Sequence, residues 1–202
     1  MAQKQKKIRI LSQREAKHLL QAVDNQRDKI MIRTALNHGL RNSETLNLKK
    51  EDFNFENQTV WVIEGKRGKD RQLPIHSSII EDLKSYMESK EDTDYLFPSP
   101  VTSSHLSTRY FQTMIRDASI QAGLYPDTVK EPRDVTLQIP YRERVTPHTL
   151  RHTFSVRLLR NNTPLQEVSK LLGHENVDIT IDSYDFLDIE TGRSHMNEVS
   201  FV

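Results

Sequence analysis

The sequence predicts a mainly α-helical fold that carries one small three-stranded antiparallel β-sheet. Three observations predict it. Apolar residues recur at helical spacing through much of the chain, beginning with Ala16, Leu19, Leu20 and Val23. One stretch, Phe53 to Ile75, switches instead to the alternation and β-former content of strands. The helical stretches are bounded by start and stop residues, among them Ser12, Gly39, Pro147 and Gly173.

The elements follow in chain order. Ser12-Gln13-Arg14-Glu15 is a capping box, in which hydroxyl and carboxylate satisfy opposite backbone donors, and it opens the first helix. A second helix runs from about Arg27 to Asn37 and stops at Gly39. A short third helix starts near Asn42 or Ser43 and carries Leu46 and Leu48. Phe53-Asn54-Phe55 alternates, Glu56-Asn57 reads as a turn, and Thr59 to Ile63 is rich in β-formers. Gly65 to Lys69 is a second turn that projects basic side chains, and Gln72 to Ile75 is the third strand. Helices resume over Ser78 to Glu88 and Ser104 to Ala122. Tyr125 to Val145 shows no periodicity, contains Pro126, Pro132 and Pro140, and reads as a long surface loop. Thr146-Pro147 fits an N-cap and first helical position, because proline there loses no needed donor. Thr163 to Gln166 repeats that grammar as a capping box. Leu165, Val168, Leu171 and Leu172 form the buried stripe of the helix it opens, and Gly173 is the left-handed stop. A final short helix carries Ile179, Ile181 and Tyr184.

Composition narrows the class. A chain of 202 residues is long enough for one good core, or for one domain with appendages. It holds no cysteine, which removes disulfides, thiolate zinc sites and thiol nucleophiles and suits an intracellular protein. No apolar run approaches the roughly 20 residues of a membrane span, and Met1 to Ile10 is basic without the apolar centre of a secretory signal. A cytoplasmic location is expected. The net charge is only +1, yet a nucleic-acid footprint needs a local basic surface, not a large total. Lys4, Lys6, Lys7 and Arg9 open the chain, Lys49 and Lys50 adjoin, and Lys66, Arg67, Lys69 and Arg71 crowd one segment, while acid gathers at Glu88 to Asp94 and Asp178 to Glu190. A single basic run usually means a solvated face. Three in a near-neutral chain point to a polarised surface.

Six separated residues are the candidates to carry chemistry: Arg41, Lys66, His148, Arg151, His174 and Tyr184; none is decisive singly, since Arg41 also fits a helix terminus, Lys66 a solvated turn, His174 a helix C-terminus and Tyr184 core or surface. Two arginines, a lysine, two histidines and a tyrosine are what metal-free chemistry on a phosphodiester requires. His148, Arg151 and His152 stand at i, i+3 and i+4 and so share one helix face. His148 also lies in the first turn, where free N–H groups and the helix dipole favour an anion. His148 and His152 have the spacing of a zinc helix, with His174 as a third ligand in reach of that reading. But Thr149 stands where that motif has its general-base glutamate, and an arginine between the ligands would repel a dication. No metal and no cofactor is expected.

The ordered set Gly39-Leu40-Arg41-Asn42-Ser43-Glu44, Gly65-Lys66, His148-Thr149-Leu150-Arg151-His152, Leu172-Gly173-His174 and Tyr184 resembles the signature of tyrosine recombinases, the phage-integrase and Xer-type enzymes. The resemblance runs from about Leu11 to Tyr184. It implies the catalytic-domain fold of DNA breaking-rejoining enzymes and a site-specific recombinase that works without metal or ATP through a 3′-phosphotyrosyl intermediate. It implies Tyr184 as nucleophile, His148 as base, Arg41, Arg151 and His174 on the phosphate, and Lys66 as general acid, with Lys69 as its competitor. Glu44, Lys69, Arg71 and His152 are candidates for supporting the site or contacting DNA.

The expected organisation is a basic linker over residues 1–10, a catalytic domain over 11–185, and a C-terminal tail over 186–202 that docks on a neighbouring protomer. The core-binding domain that usually precedes this domain in relatives is missing from the sequence, which therefore reads as an excised catalytic domain in preference to a naturally minimal protein. Double-stranded DNA is the expected partner, with assembly into a synaptic tetramer on it and a monomer when free. Type IB topoisomerase-like relaxation and a non-catalytic DNA-binding relative are the alternatives.

Overall fold

The computed structural model describes residues 8–63, 70–92, 94–102 and 104–173. Eight α-helices and three strands lie among them. In order these are α1 (Gln13–Gln21), α2 (Gln26–His38), α3 (Asn42–Asn47), β1 (Phe53–Asn54), β2 (Thr59–Val62), β3 (Arg71–Pro74), α4 (Ile80–Met87), α5 (Thr108–Gln121), α6 (Pro132–Gln138), α7 (Pro147–Arg160) and α8 (Leu165–Leu172). The mainly helical class and the small antiparallel sheet are as the sequence predicts.

The core is organised around α2. Ile30, Met31, Ile32, Ala35 and Leu36 are all buried, so this helix is enclosed on most sides. It packs most extensively against α7, and also against α1, α3 and α4. Leu19, Leu40, Leu46, Phe97, Phe111 and Leu150 complete one continuous core. Each such side chain contributes about 1.5–3 kcal/mol on leaving water. A second cluster of Val156, Leu159, Val168 and Leu172 holds α8 against α7. It is much smaller, so α8 depends more on its polar contacts for its placement.

The sheet has the order β1-β2-β3. Val60 pairs with Leu73, and Val62 with Arg71. Alternation in β2 buries Val60 and Val62 and exposes Trp61. Cross-strand partners share a face, so Arg71 lies on the buried side of the sheet with Leu73. Among the described residues, no helix is long and apolar enough to cross a membrane.

Helix boundaries follow the local chemistry. The Ser12 hydroxyl accepts from the Glu15 N–H, and the Glu15 carboxylate accepts from the Ser12 N–H. Gly39 ends α2 at φ 63°, a left-handed conformation that glycine adopts without a Cβ penalty. A Cβ there would sit 2.3 Å from Phe154 Cδ1, so the site also demands the missing side chain.

Three expectations need correction. The segment Tyr125 to Val145 is not a structureless loop, for it contains α6. Pro132 occupies the first turn of α6 and Pro140 follows its end, so these prolines bound a helix and do not break one. Its single short run is too brief to show periodicity, and Val129, Val135 and Ile139 pin it against Ile120 and Tyr125. The helix expected from Ser104 starts at Thr108 with Ser107 as its cap, because the preceding residues pair with the loop before them through Leu106 N–H to Phe97 O at 2.9 Å. The capping box at Thr163 does not form. Pro164 is extended (φ −57°, ψ 138°), and Thr163 N–H instead donates to Leu158 O at 3.1 Å to close the end of α7. The final helix expected to carry Ile179, Ile181 and Tyr184 lies outside the described residues.

Candidate active site

Glu44 is the hub of the site. It lies in the first turn of α3, where a carboxylate complements the helix dipole. Its side chain is only 3% exposed, and it is surrounded by three guanidinium groups. Arg71 binds it with a two-pronged fork, Nη1 to Oε1 at 3.0 Å and Nη2 to Oε2 at 2.8 Å. Arg41 donates Nη1 to Oε1 and its backbone N–H to Oε2, both at 2.7 Å. Arg151 Nη1 lies 3.6 Å from Oε2. Burial would raise the Glu44 pKa, but the Arg71 hydrogen bonds and charge, the Arg41 N–H and the Arg151 charge hold it down at about 2. Glu44 is therefore ionised throughout the physiological range.

Two helix ends hold the same arginines. Arg151, buried on α7, donates Nη1 to Gly39 O at 2.9 Å and Nη2 to Leu172 O at 2.7 Å. Arg71 donates Nε to Leu171 O at 2.9 Å, and Arg41 Nη2 reaches Gly173 O at 3.3 Å. These carbonyls lie at the C-termini of α2 and α8, where intrahelical donors run out and the dipole is negative. Gly39 and Gly173 both cap in the left-handed conformation, turning the chain away at those points. The two glycines thus leave helix ends open to cations. Carbonyls carry no net charge, so three guanidiniums face one carboxylate and the cluster is cationic. Arg41 is its most accessible member, with a side chain 32% exposed.

His148 stands on the first turn of α7, one helical turn before Arg151. Thr146 caps that turn by accepting from Thr149 N–H, and the Thr149 hydroxyl donates to Arg144 O at 3.1 Å. Partial burial, then the charges of Arg151 and Arg41, lower the His148 pKa below its usual value. His152, one turn further on, is lowered to about 4 by burial, His148 and Arg151. Both imidazoles are neutral at pH 7, and a neutral imidazole can accept a proton. They line a cavity of about 420 Å³ together with Arg9, Tyr141, Arg142 and Arg144.

Arg41, Glu44, Arg71, His148, Arg151 and His152 are thus brought to one region by α3, β3 and α7. Lys66, Lys69, His174 and Tyr184 lie outside the described residues. The chain between β2 and β3 carries both lysines, and His174 directly follows Gly173. The arrangement suits an anion with charge spread over several oxygens, because it offers forked cationic donors beside a neutral acceptor. Sequence motifs do not show the helix-end carbonyls or the cavity wall at Tyr141 to Arg144. The inward turn of Arg71 does leave a signal, since it shares strand parity with Leu73 and Ile75.

The chain matches the phage integrase family over residues 9–188. It is 31% identical to a tyrosine recombinase XerA from Pyrococcus horikoshii over 173 residues, covering 84% of this chain and 54% of that protein. It is 35% identical to a tyrosine recombinase from Pseudothermotoga lettingae over 162 residues, covering 79% of this chain and 49% of the other. The chain spans about half the length of these relatives. The crystal structure of a XerA recombinase is similar at a TM-score of 0.77 and 26% identity, covering 100% of this chain and 67% of that one. The Tn1549 transposon integrase in complex with a circular intermediate DNA has the same fold, at a TM-score of 0.74 and 19% identity, covering 98% and 68% of the two chains.

Proposed function

The chain belongs to the phage integrase family as a tyrosine recombinase catalytic domain, and from that premise we propose that it cleaves and rejoins DNA at a specific site through Tyr184. The observation that supports this most is the convergence of Arg41 and Arg151 on one buried carboxylate beside a neutral His148. Permanently charged forked donors match the non-bridging oxygens of a phosphodiester, and charge grows on those oxygens as the nucleophile adds.

The step balances without an external energy source. The Tyr184 oxygen forms a bond to phosphorus, and its proton passes to His148. A phenol has a pKa of about 10 and is mostly protonated at neutral pH, so a base assists it. The bond from phosphorus to the 5′-oxygen breaks, and that oxygen takes a proton from Lys66. The product is a 3′-phosphotyrosyl link and a free 5′-hydroxyl. The link retains the phosphodiester energy, and reversal on a second 5′-hydroxyl reseals the strand. His174 adds a hydrogen bond to the phosphate. Glu44 orients Arg41 and Arg151 and performs no proton transfer, as its low pKa requires.

The substrate is double-stranded DNA carrying a recombination site, and strand exchange takes place between protomers assembled on two such sites in a synaptic tetramer. Residues 186–202 supply contacts to a neighbouring protomer in that assembly. The chain acts among the intracellular DNA. The test is a nicked suicide duplex, from which the chain should form a covalent adduct that persists in EDTA. Tyr184→Phe should bind the duplex and form none. An adduct from that variant would remove Tyr184 as nucleophile, and loss of the parent adduct on chelation would reveal a metal requirement.

A further inference from the structure

We infer that the cavity beside His148 is a second phosphate subsite, in which Arg142 holds a phosphate that flanks the scissile one on the same DNA strand; the inference rests on the recombinase reading above. The cavity measures about 420 Å³, within the roughly 300–1,000 Å³ of small-ligand sites, and has room for the phosphate and sugar of one nucleotide. Its described walls carry three guanidiniums, Arg9, Arg142 and Arg144, and the imidazoles of His148 and His152, with no carboxylate among them. Such a lining attracts an anion and repels a cation.

The three arginines are not equivalent. Arg9 is paired with Glu15. Arg144 donates Nε to Ile139 O at 2.9 Å and Nη2 to Thr136 O at 2.8 Å, and its Cζ lies 5.8 Å from the centre of the Tyr141 ring. It therefore builds the wall, closing the end of α6 onto the turn that follows. Arg142 is exposed and has no hydrogen bond or ion pair among the described residues. Its neighbour Glu143 does not line the cavity. The backbone under Arg142 is held on both sides. A 3-10 turn spans Tyr141–Glu143, with Glu143 N–H donating to Pro140 O at 2.8 Å. Beyond it, Arg144 O accepts from the Thr149 hydroxyl at 3.1 Å, and Val145 N–H donates to the Tyr125 hydroxyl at 2.8 Å. A forked donor on a preset backbone loses less freedom on binding. His148 belongs to both places, for it lines the cavity and stands one turn before Arg151. A strand whose scissile phosphate lies at Arg41 and Arg151 therefore runs past the cavity, and the anion it brings there is a flanking phosphate. Such a contact fixes the register of the duplex without reading its bases.

The experiment measures the DNA concentration that half-saturates adduct formation. The nicked duplexes are natural, or carry one neutral methylphosphonate at either phosphate next to the scissile one. The parent chain, Arg142→Ala and Arg133→Ala are compared on all three. Arg133, 80% exposed on α6 and outside the cavity lining, controls for the lost charge. The parent should need about tenfold more DNA when one of the two positions is neutral, the scale of one charge-assisted hydrogen bond. Arg142→Ala should need about tenfold more of the natural duplex, and less than about twofold more again at that position. Its slope of log affinity against log salt should be shallower by about 0.9. Arg133→Ala should keep the full tenfold loss at the methylphosphonate. Arg142→Gln carries the test if the alanine variant melts early. Parental behaviour of the Arg142 variants, losses that multiply independently, or the same coupling at Arg133 overturns the subsite. If neither methylphosphonate matters, yet inorganic phosphate competes with the duplex only while Arg142 is present, the cavity takes a free anion and the DNA subsite is overturned. Absence of any adduct from the parent chain overturns the recombinase reading itself, whereas a parental adduct without coupling removes only the subsite.

Discussion

Replacing Glu44 by glutamine tests the whole electrostatic arrangement with almost no change of shape. The substitution removes one negative charge from a side chain only 3% exposed and turns one acceptor oxygen into a donor. That donor must point at the Arg41 N–H or at an arginine fork, all of which are donors themselves. The magnitude follows from the ionisation. A carboxyl whose pKa falls from its ordinary 4.5 to about 2 on folding contributes about 3 kcal/mol at neutral pH, since each tenfold change in proton affinity is worth roughly 1.4 kcal/mol. Breaking a buried ion pair costs about 3–5 kcal/mol by a separate route, which agrees. For a domain of this size that corresponds to a fall in Tm of roughly 6–12 °C. The sign against pH is fixed by the depressed folded value. The contribution is complete above about 4.5 and declines as pH falls toward about 2, where the folded carboxylate also protonates. The Tm gap between parent and Glu44→Gln, measured by calorimetry, should be constant from pH 7 to pH 5 and narrow below pH 4.5. A variant that melts with the parent at pH 7, or a gap that widens in acid, would falsify the claim that Glu44 is the charged hub.

Two further outcomes concern neighbouring residues. Adduct formation should rise with pH on an acidic limb lying below the usual imidazole value of about 6.5, because burial and two arginines favour neutral His148; a limb above that value would contradict this environment. Gly39→Ala should lower stability by at least about 2 kcal/mol in urea titration, from left-handed strain and a forced approach to Phe154. Near-parental stability there would show that Phe154 and the end of α2 yield freely.

The tyrosine recombinase resemblance is legible because the family's chemistry needs particular residue types in a particular order, and sequence records type and order directly. Arg41, His148 and Arg151 can be named, and the helix from Thr146 can be started, since a capping threonine and a first-turn proline are local devices. The boundaries that differ are decided by distant partners. Ser104 to Leu106 pair with the loop at Phe97 instead of joining α5, and Thr163 closes α7 instead of opening α8. Helix α6 escapes a sequence reading because seven residues give too little periodicity to outweigh its flanking prolines.

By itself, then, the sequence determined the family, the helical character with its one small sheet, and the glycines on which two helices end. Only the tertiary structure decided what those endings are for. Gly39 and Gly173 lie far apart along the chain, yet their helix ends meet, and their carbonyls hold Arg41, Arg71 and Arg151 around Glu44. A motif lists donors. It cannot show that backbone acceptors from two other helices and one buried carboxylate hold those donors in place, because that depends on how α2, α3, α7, α8 and β3 pack together.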